Sequence, residues 1–178
     1  SFNFLKTLPK KLNLFYEKNT KITLKTNNKS KSKINYDPVT NIDLAFERYI
    51  RRLISNKFPE DSIIGEEFKN KTSLNNLKWS IDPIDGTKAF LLGAPTWSNL
   101  IGLSYQNKSL IGLANFPELN KHYINDKKKS YKVIGKKKKV LRASNISDLK
   151  RIKIICNFHG FLNYEKQIKI IKKFGWSF

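Results

Sequence analysis

Methionine is absent from the chain, cysteine occurs once, and histidine twice among 178 residues. Each scarcity removes something. The lone Cys156 has no partner for an internal disulfide, so a reducing, cytoplasmic setting is the expectation. Zinc wants clustered thiolate or imidazole ligands, and one cysteine with His122 and His159 is too few. Cys156-Asn-Phe-His159 is half a metal motif with no second pair, and reads as a strand-end thiol and a loop histidine. With no initiator, and with no terminating signal at Trp176-Ser-Phe178, the chain is expected to be processed or a fragment of a longer one. No apolar run approaches the roughly 20 residues that cross a bilayer. The lysine-rich N-terminal segment also lacks the long apolar stretch of a secretory leader. Missing too are the Gly-x-Ser-x-Gly elbow, the Gly-x-x-x-x-Gly-Lys-Ser/Thr loop and the Gly-x-Gly-x-x-Gly turn, which sets aside three large enzyme classes.

Negative charge is the next scarcity: 14 acidic residues stand against 35 basic ones, a formal net charge of +21. Lysine outnumbers arginine 30 to 5, and asparagine and isoleucine are plentiful. All three residues share A/T-rich codons, so nucleotide composition accounts for much of the excess. A nucleic-acid binder more often interleaves clustered arginine with exposed aromatics. A solvated basic surface is therefore the first reading and nucleic-acid binding the second. Such a surface also attracts small anions.

What is present suffices for a folded domain: 39% of residues are hydrophobic and 12% aromatic. Phe4, Leu5, Leu8, Leu12 and Phe15 keep helical spacing, and Pro9 predicts a kink or a late start. Residues 19–24 read as a strand and 25–35 as a polar loop. Thr40-Asn-Ile-Asp43 resembles a capping box, followed by Phe46, Tyr49, Ile50, Leu53 and Ile54 on one helical face until Phe58-Pro59. Strands are predicted at 62–64, 78–81, 96–105, 109–116, 122–124, 131–134 and 139–142, with a hairpin turn at Gln106-Asn-Lys108. A new strand–helix unit begins with Arg151 to Cys156 and continues through Tyr164, Ile168 and Ile171. The expected organisation is an α+β domain over 1–149 and the start of a second, α/β unit over 150–178. Trp97 and Phe116 read as core residues.

Against this basic background, Trp79-Ser-Ile-Asp-Pro-Ile-Asp-Gly-Thr87 concentrates carboxylates at one turn. Asp37 with Asp43, and Glu66 with Glu67, are two further acidic clusters at element ends. Carboxylates about 4 Å apart repel by about 4 kcal/mol at an effective dielectric of 20. A divalent cation relieves that repulsion, and an all-oxygen donor set suits Mg²⁺, Mn²⁺ or Ca²⁺. Gly86-Thr87, opening a helix, offers backbone N–H groups to an anion. Carboxylates beside an anion-binding turn suit phosphate chemistry. Taken singly, each cluster also fits a surface loop, a helix cap or a simple turn.

Together, Asp37-Pro-Val-Thr-Asn-Ile-Asp43, Ile64-Gly-Glu-Glu67 and Trp79 to Thr87 resemble the inositol monophosphatase superfamily of magnesium-dependent phosphatases. Gly86-Thr-Lys-Ala-Phe90 and Gly93-Ala-Pro-Thr-Trp-Ser-Asn-Leu-Ile-Gly102 are most similar to its histidinol-phosphatase branch. The inositol branch and the 3′-phosphatase branch of sulfur assimilation are near. The resemblance implies an αβαβα layered sandwich whose first half is an antiparallel sheet with paired helices. It implies Mg²⁺ held by Glu66, Asp82, Asp85 and the carbonyl of Ile84. It makes Asp43, Thr87 and Glu66 the catalytic set, with Asp43 and Thr87 orienting water, and Asp85, Gly86 and Thr87 the phosphate-binding turn. The implied partner is a small phosphorylated metabolite, with no membrane and with a homodimer in the full-length protein. Departures are plain. The Trp-Asp motif of the family's second half does not occur, and Lys129-Ser-Tyr131 replaces a Gly-Ala-Phe segment. The alternatives of other classes are a basic nucleic-acid-binding module on the same scaffold and an inactive remnant.

Overall fold

The computed structural model describes residues 1–19 and 41–148. The chain divides into two units, Ser1–Leu141 and Arg142–Phe178. In the second, residues 142–148 carry no regular element. Of the strand expected at 19–24, Asn19 instead ends the first helix and the rest lies outside the described residues, as do the strand expected at 151–156, the helix after Tyr164, and the Asp37 and Thr40 positions.

The first unit opens with helix α1, Phe2–Asn19, which passes through Pro9 without a break. It begins at Phe2, so the late start that proline allows does not occur. A proline inside a helix costs about 3 kcal/mol. Leu5, Leu8 and Leu12 are fully buried on the inner face of α1, each stabilising by about 2 kcal/mol. Three such contacts outweigh one missing backbone bond. Helix α2, Asn41–Lys57, follows the predicted face, with Phe46, Ile50 and Ile54 wholly buried. Its end agrees with Phe58-Pro59. Phe15 stacks on Tyr49 at 4.5 Å and tilts against Phe46 at 4.9 Å, which joins the two helices.

A seven-stranded sheet runs in chain order: β1 Ser62–Gly65, β2 Leu77–Asp85, β3 Ser98–Tyr105, β4 Lys108–Phe116, β5 Lys121–Asn125, β6 Ser130–Ile134 and β7 Lys137–Leu141. Pairing is antiparallel throughout except for β1 with β2, which is parallel. One short helix, α3 Thr87–Leu91, interrupts the run between β2 and β3. Odd-numbered positions of β2 and β3 (Trp79, Ile81, Ile101, Leu103) are buried in one core with α1 and α2. Trp79 leads into the acidic turn and is clamped there: its indole N–H donates to buried Asp61 at 2.8 Å. Phe58 and Phe4 close over its ring. β7 ends the sheet among the described residues, and all five of its residues are exposed.

The strand carrying the acidic turn runs farther than the predicted 78–81. β2 continues to Asp85, because Asp82 pairs with Leu100 and Asp85 with Ser98. Two residues, Pro83 and Ile84, thus face the single Asn99. That is a β-bulge, one of the few places in a sheet that tolerates proline. The bulge lies at the C-terminal end of β2, where Asp85-Gly86-Thr87 leads from the strand into α3. No helix among the described residues is long and apolar enough to cross a membrane.

Candidate metal centre

Asp82 sits half-buried at the start of the bulge. Burial, the negative charges of Glu66 and Asp85, and a hydrogen bond with Glu66 push its carboxyl up to about 7, against a smaller opposing pull from the Ile84 backbone N–H. Its Oδ1 is buried and has no hydrogen-bond partner. A buried carboxylate oxygen without a donor is costly. Of the three carboxylates, Asp82 is thus within electrostatic reach of both others. They do not form a closed cage: among the described residues, no group of three or more His, Cys, Asp or Glu side chains is poised to hold a metal ion. The donor set is nonetheless all oxygen, and the orphaned Oδ1 is a free coordination point. These residues fit a hard divalent cation.

The other site residues fall around this point. Glu66 is exposed in the turn after β1, next to half-buried Glu67. Asp85 is exposed and accepts a long hydrogen bond, 3.4 Å, from the Ser98 hydroxyl. The Ile84 carbonyl accepts from the Thr87 hydroxyl at 3.1 Å. A carbonyl has two lone pairs, so that oxygen keeps one for a cation. Gly86 caps α3 at φ 85°, a left-handed conformation that disfavours other residues, so glycine there is a backbone requirement. Asp43 lies in the first turn of α2 and is buried. The helix after Gly86 is five residues long, so any pull on an anion comes from its first N–H groups rather than from a long helix dipole.

Two residues that sequence reasoning passed over hold the Glu66 turn. Glu47 is fully buried on the inner face of α2. It accepts from Arg51 Nε at 2.6 Å and from the backbone N–H of Glu67 at 2.7 Å. Arg51 donates in turn to the Phe68 carbonyl at 3.1 Å. The pair pins the stretch containing Glu66 against α2. A sequence signal existed: Glu47 shares the face of Asp43, Ile50 and Ile54, and Arg51 follows one helical turn later. The close approach explains Gly65, since a Cβ there would collide with the Glu47 carboxylate and the Arg51 guanidinium. Gly65→Ala is expected to destabilise the chain by about 1–3 kcal/mol, the usual cost of overpacking. Urea unfolding measures it, and an unchanged midpoint would show that the contact is slack.

Comparison with known proteins follows the same residues. Residues 4–160 match the model of the inositol monophosphatase family. A histidinol-phosphatase of Chlorobaculum parvum is 44% identical over 92 residues, covering 52% of this chain and 36% of that protein. A second, from Mycobacterium tuberculosis, is 37% identical over 86 residues, covering 48% and 33%. Among solved structures, the IMPase of Thermotoga maritima superimposes with a TM-score of 0.66 at 26% identity, covering 82% of this chain and 56% of that one. The matched stretch spans about a third of the length of these two curated relatives.

Proposed function

Because the chain belongs to the inositol monophosphatase family, whose members are phosphatases, we propose that it carries the cation- and phosphate-binding part of a Mg²⁺-dependent phosphomonoesterase. The observation that carries this reading is the buried, unpartnered Oδ1 of Asp82 beside Glu66 and Asp85. Glu66, Asp82, Asp85 and the Ile84 carbonyl are the groups that would hold the ion. Bound there, Mg²⁺ supplies neutralisation of the carboxylates and polarisation of the ester.

The remaining steps belong to the chain's own residues. The Thr87 hydroxyl donates its proton to the Ile84 carbonyl. Its oxygen lone pairs are thereby left to accept from water. The Asp43 carboxylate would accept the second water proton, so that the pair presents the water's lone pair to phosphorus. Backbone N–H groups of Gly86 and Thr87 would hold the phosphate beside Asp85.

Histidinol phosphate is the first substrate to test, supported by the two histidinol-phosphatase matches. Inositol phosphate is the second, supported by the Thermotoga likeness. Phosphate release should be measured for this chain and for the product of its whole reading frame, with Mg²⁺ and with EDTA. The expected result is Mg²⁺-dependent release from histidinol phosphate that EDTA abolishes. No release from histidinol phosphate, inositol phosphate or 3′-phosphoadenosine nucleotides by either polypeptide would refute the proposal.

A further inference from the structure

Three asparagines line up behind the bulge, and their hydrogen bonds run in one direction. Asn115 on β4 is fully buried, and its amide nitrogen donates both to Asn13 Oδ1 on α1 and to Asn99 Oδ1 on β3, each at 3.0 Å. Asn99 is fully buried as well, and its amide nitrogen donates to the Pro83 carbonyl at 2.7 Å. The polarity of the chain is set at its end. A carbonyl only accepts, so Asn99 must turn its NH₂ toward Pro83 and its oxygen toward Asn115. Asn115 then spends both protons, and its own Oδ1 is left buried without a partner. An unmade bond of that kind costs about 1–3 kcal/mol. The cost is tolerated where the bulge interrupts the ladder: proline has no N–H, and Asn99 is the lone residue facing Pro83 and Ile84.

We infer that Asn99, oriented by Asn115, is a positioning residue that fixes the Asp82-Pro83-Ile84-Asp85 bulge and so presets three of the four groups assigned to the cation. The inference rests on the metal-centre reading above. Asn99 touches neither the cation groups' oxygens nor a substrate; it acts through the Pro83 carbonyl. With that carbonyl held from behind, the Pro83–Ile84 peptide plane is fixed, and the backbone leading from it to Asp82 on one side and to the Ile84 carbonyl on the other is restrained, the more so because proline locks its own φ. Asn13 lies at the half-buried end of the relay and only helps to seat Asn115.

Two measurements on the 178-residue chain test this. The first is Mn²⁺ affinity, read from free Mn²⁺ by electron paramagnetic resonance. The second is amide hydrogen exchange at Ile84, Asp85, Gly86 and Thr87 compared with β5, without metal. Asn99→Leu removes the donor while filling the space. It is expected to weaken Mn²⁺ by about tenfold or more, as loss of a supporting hydrogen bond behind a metal ligand does. Exchange at 84–87 should rise by a similar factor while β5 stays within about twofold. Asn115→Leu, which keeps the Asn99–Pro83 pair but frees its orientation, should give a smaller shift of the same pattern. Asn13→Ala should give none. Unchanged affinity and exchange in a folded Asn99→Leu chain overturns the inference. So does acceleration spread evenly over the sheet, which marks general destabilisation. If Asn99→Leu does not fold, Asn115→Leu decides by the same criteria. Failure of the unmodified chain to bind Mn²⁺ sinks the metal-centre reading instead, and the metal-free exchange comparison still judges the relay.

Discussion

Asp82→Asn is expected to make the metal-free chain more stable and its hold on a divalent cation far weaker. The side chain keeps its size and can still accept from the Ile84 N–H, but it no longer repels Glu66 and Asp85. Burial first, and then those repulsions, push the Asp82 carboxyl up to about 7. Because the group is half-buried, water screens much of the repulsion, and a gain of about 1 kcal/mol is reasonable. For a domain of this size that is a rise in midpoint of about 2–5 °C. Divalent-cation affinity should fall by about a hundredfold or more, since a neutral amide oxygen replaces the most buried anionic ligand. Scanning calorimetry with EDTA and titration with Mn²⁺ read the two effects separately. Opposite signs are the signature of a ligand that folding alone would not choose. A variant less stable without metal, or one that binds Mn²⁺ as before, would remove Asp82 from the centre.

Glu47→Ala should carry the largest stability loss in the unit. It strands two groups at once: the Arg51 guanidinium, 15% exposed, and the Glu67 backbone N–H. Breaking a buried ion pair from one side costs about 3–5 kcal/mol, because the surviving charge is left uncompensated. Total stabilities of 5–15 kcal/mol leave little after such a loss. The double replacement Glu47→Met with Arg51→Met removes both charges, and is expected to cost distinctly less than Glu47→Ala alone. Urea unfolding of the two variants measures this. The double variant should nonetheless bind Mn²⁺ more weakly than the unmodified chain, because the Glu66 turn is no longer tied to α2. A Glu47→Ala cost below about 1 kcal/mol would mean that the turn is held elsewhere.

These expectations draw unequally on what a reader of the sequence could have known. The acidic turn was legible because local chemistry specified it. Proline after the first aspartate and glycine after the second restrict the backbone in ways visible from the letters alone. α2 was legible through the spacing of Phe46, Ile50 and Ile54. Its buried Glu47 was not, since periodicity treats a charge on an apolar face as noise until a partner from 20 residues away is seen to meet it. The asparagine relay was less visible still. Asn13, Asn99 and Asn115 are far apart in the chain, and asparagine is abundant throughout, so nothing local distinguishes these three from the rest. Pro9 argued against a helix starting as early as Phe2 for the opposite reason: its local rule is sound, and the burial of Leu5, Leu8 and Leu12 overrode it. Tertiary partners, which no local pattern contains, explain each of the misses.

The lysines of β7 have a consequence away from the turn. Lys139 stands opposite Lys132 in the last ladder, and Lys137 and Lys138 flank it on a strand open to solvent. Like charges facing one another weaken that pairing slightly. They also make the strand a poor template: a second β7 docking edge to edge would set two rows of ammonium groups in register. The sheet is thereby discouraged from growing into fibrils, and this protection fades as added salt shortens the reach of the repulsion.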